Sequence, residues 1–134
     1  MTIRESQNEF IEELGMFDSW SDKFNLLIEK SNFQLKEVPE ELCRYRISNC
    51  QSRTYFKAEN INGYININGW SNSSVMSGLI DYIKNIFNGY AVWQLTAWAI
   101  DFHIKSDLIN NLTPMRRAAL EEIIHRIIVL SSPK

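Results

Sequence analysis

Between residues 53 and 68 the spacing of apolar residues becomes strictly alternating, and this stretch narrows the possible folds more than any other. Arg53, Tyr55, Lys57 and Glu59 alternate with Thr54, Phe56 and Ala58; further on, Tyr64, Asn66 and Asn68 alternate with Ile65 and Ile67. Successive side chains of a strand point to opposite faces, so this pattern specifies two strands with one face to be covered. Asn60-Ile61-Asn62-Gly63 supplies the turn between them, because Asn62 and Gly63 tolerate positive φ. Arg44-Tyr45-Arg46-Ile47 offers a third, short strand.

On both sides of the hairpin the period is helical. Ser6 and Glu9 have capping-box spacing ahead of Phe10, Ile11 and Leu14, and this first helix ends near Gly15. Ser19 or Ser21 caps a second, with Trp20, Phe24, Leu27 and Ile28 on one side and Asp22, Lys23, Asn25 and Glu29 on the other, running out around Asn32. Pro39-Glu40-Glu41 opens one further helical turn before Cys43. After the hairpin, Ser71-Asn72-Ser73 offers caps for an apolar helix from Val75 to Phe87, stopped by Asn88-Gly89. Gly78 inside that helix costs about 1 kcal/mol relative to alanine, which fits either a close approach by another backbone or loop or a weak residue that is simply tolerated. Residues 92 to 102 read as a short helix with irregular core-filling segments, and Trp20, Trp70, Trp93 and Trp98 as core. Thr113-Pro114 starts a last helix that buries Leu120, Ile123, Ile124, Ile127 and Ile128. The order of elements gives an α+β fold, helices packed on a small antiparallel sheet of about three strands. With 134 residues, 45% of them apolar, a single domain spanning 1–134 is expected.

A net charge of -2 provides no long-range attraction for nucleic acid or anionic lipid. No apolar run approaches the roughly 20 residues that span a bilayer, and the first residues, Met1-Thr2-Ile3-Arg4-Glu5-Ser6, are not signal-like, so a cytoplasmic location is expected. Two cysteines are too few for a disulfide scaffold. With His103 and His125 distant in sequence and without a companion acid or cysteine at catalytic spacing, a zinc site is not expected and both histidines read as ordinary. Cys43 reads as a buried small hydrophobe.

Cys50 stands between the turn-prone pair Ser48-Asn49 and the start of a strand, a loop position of the kind that presents reactive groups. Arg44, Arg46 and Arg53 are near in sequence, and any that approached the sulfur would favour its thiolate form. Local sequence fits equally well with these arginines as the solvated faces of strands and Cys50 as an inert thiol.

The run Ser48-Asn49-Cys50-Gln51-Ser52-Arg53-Thr54-Tyr55 resembles the active loop of the SufE and CsdE family, in which glycine-cysteine-glutamine-serine precedes a strand with an aromatic at the place of Tyr55. Gly63 through Gly69 resembles that family's second strand, and Ser71-Asn72 followed by Val75-Met76-Ser77-Gly78-Leu79 its capped helix. Leu112-Thr113-Pro114-Met115-Arg116 with Leu120 resembles its closing helix, and Phe17-Asp18-Ser19-Trp20 with Lys23 to Ile28 its second helix. This chain departs from the family pattern at Asn49 for glycine, Asn72 for aspartate, Ser77 for lysine and Ala119 for glycine.

The resemblance implies a fold shared with IscU-like scaffolds and a sulfur acceptor that activates a SufS-type, pyridoxal-phosphate-dependent cysteine desulfurase. Cys50 would take persulfide sulfur and relay it towards iron–sulfur cluster assembly on a SufB-like scaffold. Asn49, Gln51, Ser52, Arg53, Asn72, Gly78 and Arg116 would form the loop and partner-facing surface, with no cofactor or metal of its own. Two other readings remain: a degenerate SufE-like module that docks on a desulfurase without carrying sulfur, and a small redox protein that pairs Cys43 with Cys50.

Overall fold

The computed structural model describes residues 1–31, 36–48 and 52–132. Its first helix, α1 (Ile3–Gly15), starts earlier than the Ser6–Glu9 spacing suggested: Thr2 is the cap, and Thr2 and Glu5 form the reciprocal capping box. Ser6 is instead buried, its hydroxyl 2.6 Å from that of Tyr90, so its place is in packing and not at the helix end. Ser19 caps α2 (Trp20–Lys30). Lys23, expected to face water, turns back and donates to Leu14 O and Phe17 O at 2.8 and 2.6 Å, satisfying carbonyls at the end of α1. A 3-10 turn, Glu40–Leu42, follows, as Pro39-Glu40-Glu41 predicts.

The hairpin consists of β1 (Thr54–Ile61) and β2 (Tyr64–Ser71), paired antiparallel with Ile61 opposite Tyr64 and Thr54 opposite Ser71. Asn62 and Gly63 have φ of 55° and 88°, the signature of a two-residue type I′ turn whose twist matches that of the strands. The third strand shrinks to one isolated bridge, Arg46 opposite Tyr55, with Ile47 N donating to Thr54 O and Phe56 N to Tyr45 O. Among the described residues the sheet therefore has two strands. The run is short because the chain has only just left the 3-10 turn, where Tyr45 N still donates to Leu42 O.

Ser73 caps α3 (Ser74–Phe87), which lies at the centre of the molecule. It packs on α1 and α2 with one side and on β2 with another, and so buries Val75, Met76, Leu79, Ile80, Tyr82, Ile83, Ile86 and Phe87. Gly78 is where α2 crosses. A Cβ built there would collide with the carbonyl of Leu27, which accounts for glycine inside a helix as its sequence position suggests. At the helix end Asn88 leaves in extended conformation and Gly89 takes φ 85°.

Three single-turn helices follow: α4 (Gln94–Ala97), α5 (Phe102–Lys105) and α6 (Leu108–Asn111). The tryptophan expectation needs correction in this region. Trp70 is buried and Trp20 half-buried, but Trp93 is 65% and Trp98 38% exposed. Polar side chains fasten the segment instead. Gln7, fully buried, accepts from Asp101 N and Phe102 N and donates to Ala99 O; Gln94 accepts from Ile3 N. With the backbone thus held, the indoles are not needed for docking. The last helix, α7 (Pro114–Ile128), is capped by Thr113 and lies against β1, burying Ala119, Leu120, Ile123, Ile124 and Ile127, while Ile128 is exposed.

Candidate functional site

Asn49, Cys50 and Gln51 lie outside the described residues. The residues on either side of them are described. On the outgoing side, Arg53 and Asn72 extend the hairpin ladder beyond its last pair: Asn72 N donates to Arg53 O at 3.0 Å, and Arg53 N donates to the side-chain Oδ1 of Asn72 at 2.9 Å. The Asn72 side chain thus takes the place of a backbone carbonyl, leaving its own backbone to turn into α3. The Thr54 hydroxyl lies 2.9 Å from that of Ser71 and 3.3 Å from that of Ser52, and Ser71 Oγ accepts from Ser73 N. Arg116, in the first turn of α7, lines a cleft of about 200 Å³ together with Ser52, Asn72 and Ser73. An arginine and the amino-terminal end of α3 meet at this cleft, and both carry positive charge or partial charge.

On the incoming side the anchor is a residue that sequence reading did not single out. Arg126 donates through Nη1 to Tyr45 O and Phe56 O at 2.8 and 2.6 Å, and through Nη2 to Arg46 O at 3.0 Å. These are carbonyls on both sides of the shortened bridge. Where a longer third strand would have offered an amide to Phe56 O, the guanidinium supplies the donor. Glu122, one helical turn earlier, accepts from Arg126 Nη2 at 2.5 Å and from the hydroxyl of Ser48 at 3.1 Å. The only sequence signal for this cluster is the Glu122–Arg126 spacing, common to solvated helix faces.

Of the residues expected at the site, Ser52, Asn72 and Arg116 share one cleft and Arg53 is locked to Asn72. The Arg53 guanidinium lies over the ring of Trp70, 5.2 Å from its centroid, with Glu37 at 3.9 Å. Gly78 does not belong with them: it is buried under α2, a packing position and not a partner-facing one. Cys43 also needs correction. It is exposed, with Sγ 3.8 Å from Pro39 O, because the 3-10 turn buries its neighbour Leu42 against Tyr55 and Trp70 and turns residue 43 outward. Arg44 and Arg46 are exposed. His125 is exposed on α7, while His103 packs on Phe102 and is held below its ordinary pKa by burial. Among the described residues no group of three His, Cys, Asp or Glu stands close enough to hold a metal, and no helix is long and apolar enough to cross a membrane.

Comparison with known proteins covers nearly the same span as these elements. The family model for SufE, described as an Fe–S metabolism associated domain, matches residues 8–130. The solution structure of a hypothetical protein from Thermus thermophilus is similar with a TM-score of 0.67, over 96% of this chain and 97% of that one. At 15% identity this likeness is one of fold.

Proposed function

Because the chain belongs to the SufE family of Fe–S metabolism associated domains, we propose that it is a cytoplasmic, single-domain sulfur acceptor whose Cys50 takes sulfur from a SufS-type cysteine desulfurase. The observation that carries this reading is the family match across residues 8–130, which includes Cys50 in the run Ser48-Asn49-Cys50-Gln51-Ser52. The cleft shared by Ser52, Asn72, Ser73 and Arg116 supports it, since Ser52 is two residues from Cys50 and positive potential there favours anionic sulfur.

In the proposed step the Cys50 thiolate attacks the terminal sulfur of the desulfurase persulfide. A sulfur–sulfur bond forms to Cys50, the bond within the donor breaks, and the donor cysteine leaves as thiolate. No net oxidation occurs, so no redox partner is required. The pyridoxal phosphate belongs to the desulfurase, and a SufB-like scaffold is the onward acceptor. Asn49, Gln51, Ser52, Arg53, Asn72 and Arg116 form the surface around the thiol that meets the partner.

Mass spectrometry of the protein after incubation with a SufS-type desulfurase and cysteine tests this. A mass increment of one sulfur atom on Cys50, absent in Cys50→Ser, is expected, together with faster desulfurase turnover. If Cys50→Ser accelerates the desulfurase as well as the unaltered protein does, the docking-module reading replaces this one. A disulfide between Cys43 and Cys50, lost in Cys43→Ala, would instead favour the redox reading.

A further inference from the structure

We propose that Glu122 is a positioning residue for sulfur acceptance, holding Ser48 at the incoming edge of the Cys50 run while it is itself held by Arg126. This rests on the reading that Cys50 carries sulfur. Three observations lead to it. The segment from Tyr45 to Ile47 has only one bridge of its own to the hairpin and one buried side chain, Ile47, and Arg126 adds contacts to its Tyr45 and Arg46 carbonyls and to Phe56 O across from them. The Arg126 fork is planar and fixed, and Glu122 closes it from the same helix at 2.5 Å, so the carboxylate has a defined position although about a quarter of it is exposed. Its second oxygen accepts from Ser48 at 3.1 Å, and Ser48 is the last described residue before the Cys50 run.

The arrangement ties Ser48, itself exposed, to α7. The outgoing edge has its own anchor in the Arg53–Asn72 pair. Both edges are thereby set by regular elements, the incoming one by α7 and the outgoing one by the hairpin. Small displacements of a reacting group cost rate and not affinity, because the docked complex forms in either case but reaches attack geometry less often.

Ser48→Ala removes the hydroxyl while leaving Arg126 and its carbonyl contacts in place, and Ser48→Thr restores it. In single-turnover sulfur loading with a SufS-type desulfurase, Ser48→Ala is expected to lower the saturating rate about fivefold with half-saturation unchanged, and Ser48→Thr to recover it. In a Glu122→Ala background, Ala at 48 should cost nothing more. An unchanged rate in Ser48→Ala, a change confined to half-saturation, failure of Thr to rescue, or additive losses in the double variant would overturn the proposal. If the unaltered protein does not accept sulfur at all, the functional reading fails by itself, and alkylation of Cys50 by iodoacetamide decides the positioning role. A rate that differs about threefold or more in Ser48→Ala and returns in Ser48→Thr, with alkylation of Cys43 constant, supports it; no difference overturns it.

Discussion

Asn72 shows how one side chain serves two elements. Its amide oxygen completes the ladder to Arg53, and its backbone begins the turn into α3, whose cap is the next residue, Ser73. Alanine at this position leaves the Arg53 amide without its partner, and a loss of about 1 kcal/mol is expected from chemical denaturation of Asn72→Ala. Asn72→Asp keeps an acceptor oxygen and makes it a charged one, between the Arg53 amide and the cleft lined by Arg116. That variant is expected to match or exceed the stability of the unaltered protein, with the gain shrinking as salt is added. The ladder at this point requires an acceptor but no charge, so asparagine here is compatible with the hairpin geometry the family resemblance implies.

The main elements were readable from periodicity and caps. Alternation marks β1 and β2, Asn62-Gly63 marks their turn, and Thr113-Pro114 marks a helix start outright, while Ser19 or Ser21 and the run Ser71-Asn72-Ser73 mark two others to within a few residues, the structure choosing Ser19 and Ser73. The third strand is shorter than its pattern suggests: Arg44-Tyr45-Arg46-Ile47 alternates as a strand does, and nothing local reveals that the preceding 3-10 turn leaves room for only one bridge. Gln7 and Gln94 were invisible as anchors because their partners are backbone groups 91 to 95 residues away. The same holds for Arg126 and its carbonyls, 70 to 81 residues distant. Gly78 was the opposite case, a rule broken locally for a tertiary reason. Alanine normally improves a helix by about 1 kcal/mol over glycine. Gly78→Ala is nevertheless expected to destabilise by about 3 kcal/mol, because α2 must move off the new methyl group at Leu27. Denaturant midpoints of this variant, compared with an exposed alanine substitution elsewhere on α3, measure the difference.

Across the whole molecule, stability should peak near neutral pH. Burial lowers the pKa of His103 below its ordinary 6.5, so below that pH the unfolded chain takes up a proton that the folded chain resists. Asp101, hydrogen-bonded by Arg4 and also paired with Lys105, is held below the usual carboxylate value of 3.8, and its contribution is lost as the medium becomes more acid still. Tyr82 is raised by burial and by its bond to Glu13, so stability also declines as pH rises above about 10, where the unfolded tyrosine ionises first. Urea denaturation across this range should show the dome, and His103→Gln should flatten the limb between pH 7 and 5. The two anchors described for the Cys50 run differ in another respect, the length of chain each must close. Arg53 and Asn72 are 19 residues apart across a hairpin, whereas Ser48 and Glu122 are 74 apart. Local hairpins form in microseconds, while distant contacts wait for the rest of the chain to collapse. The Arg53–Asn72 contact is therefore expected early in folding and the Ser48–Glu122 contact only when α7 docks, so the two edges of one loop should be completed at opposite ends of assembly.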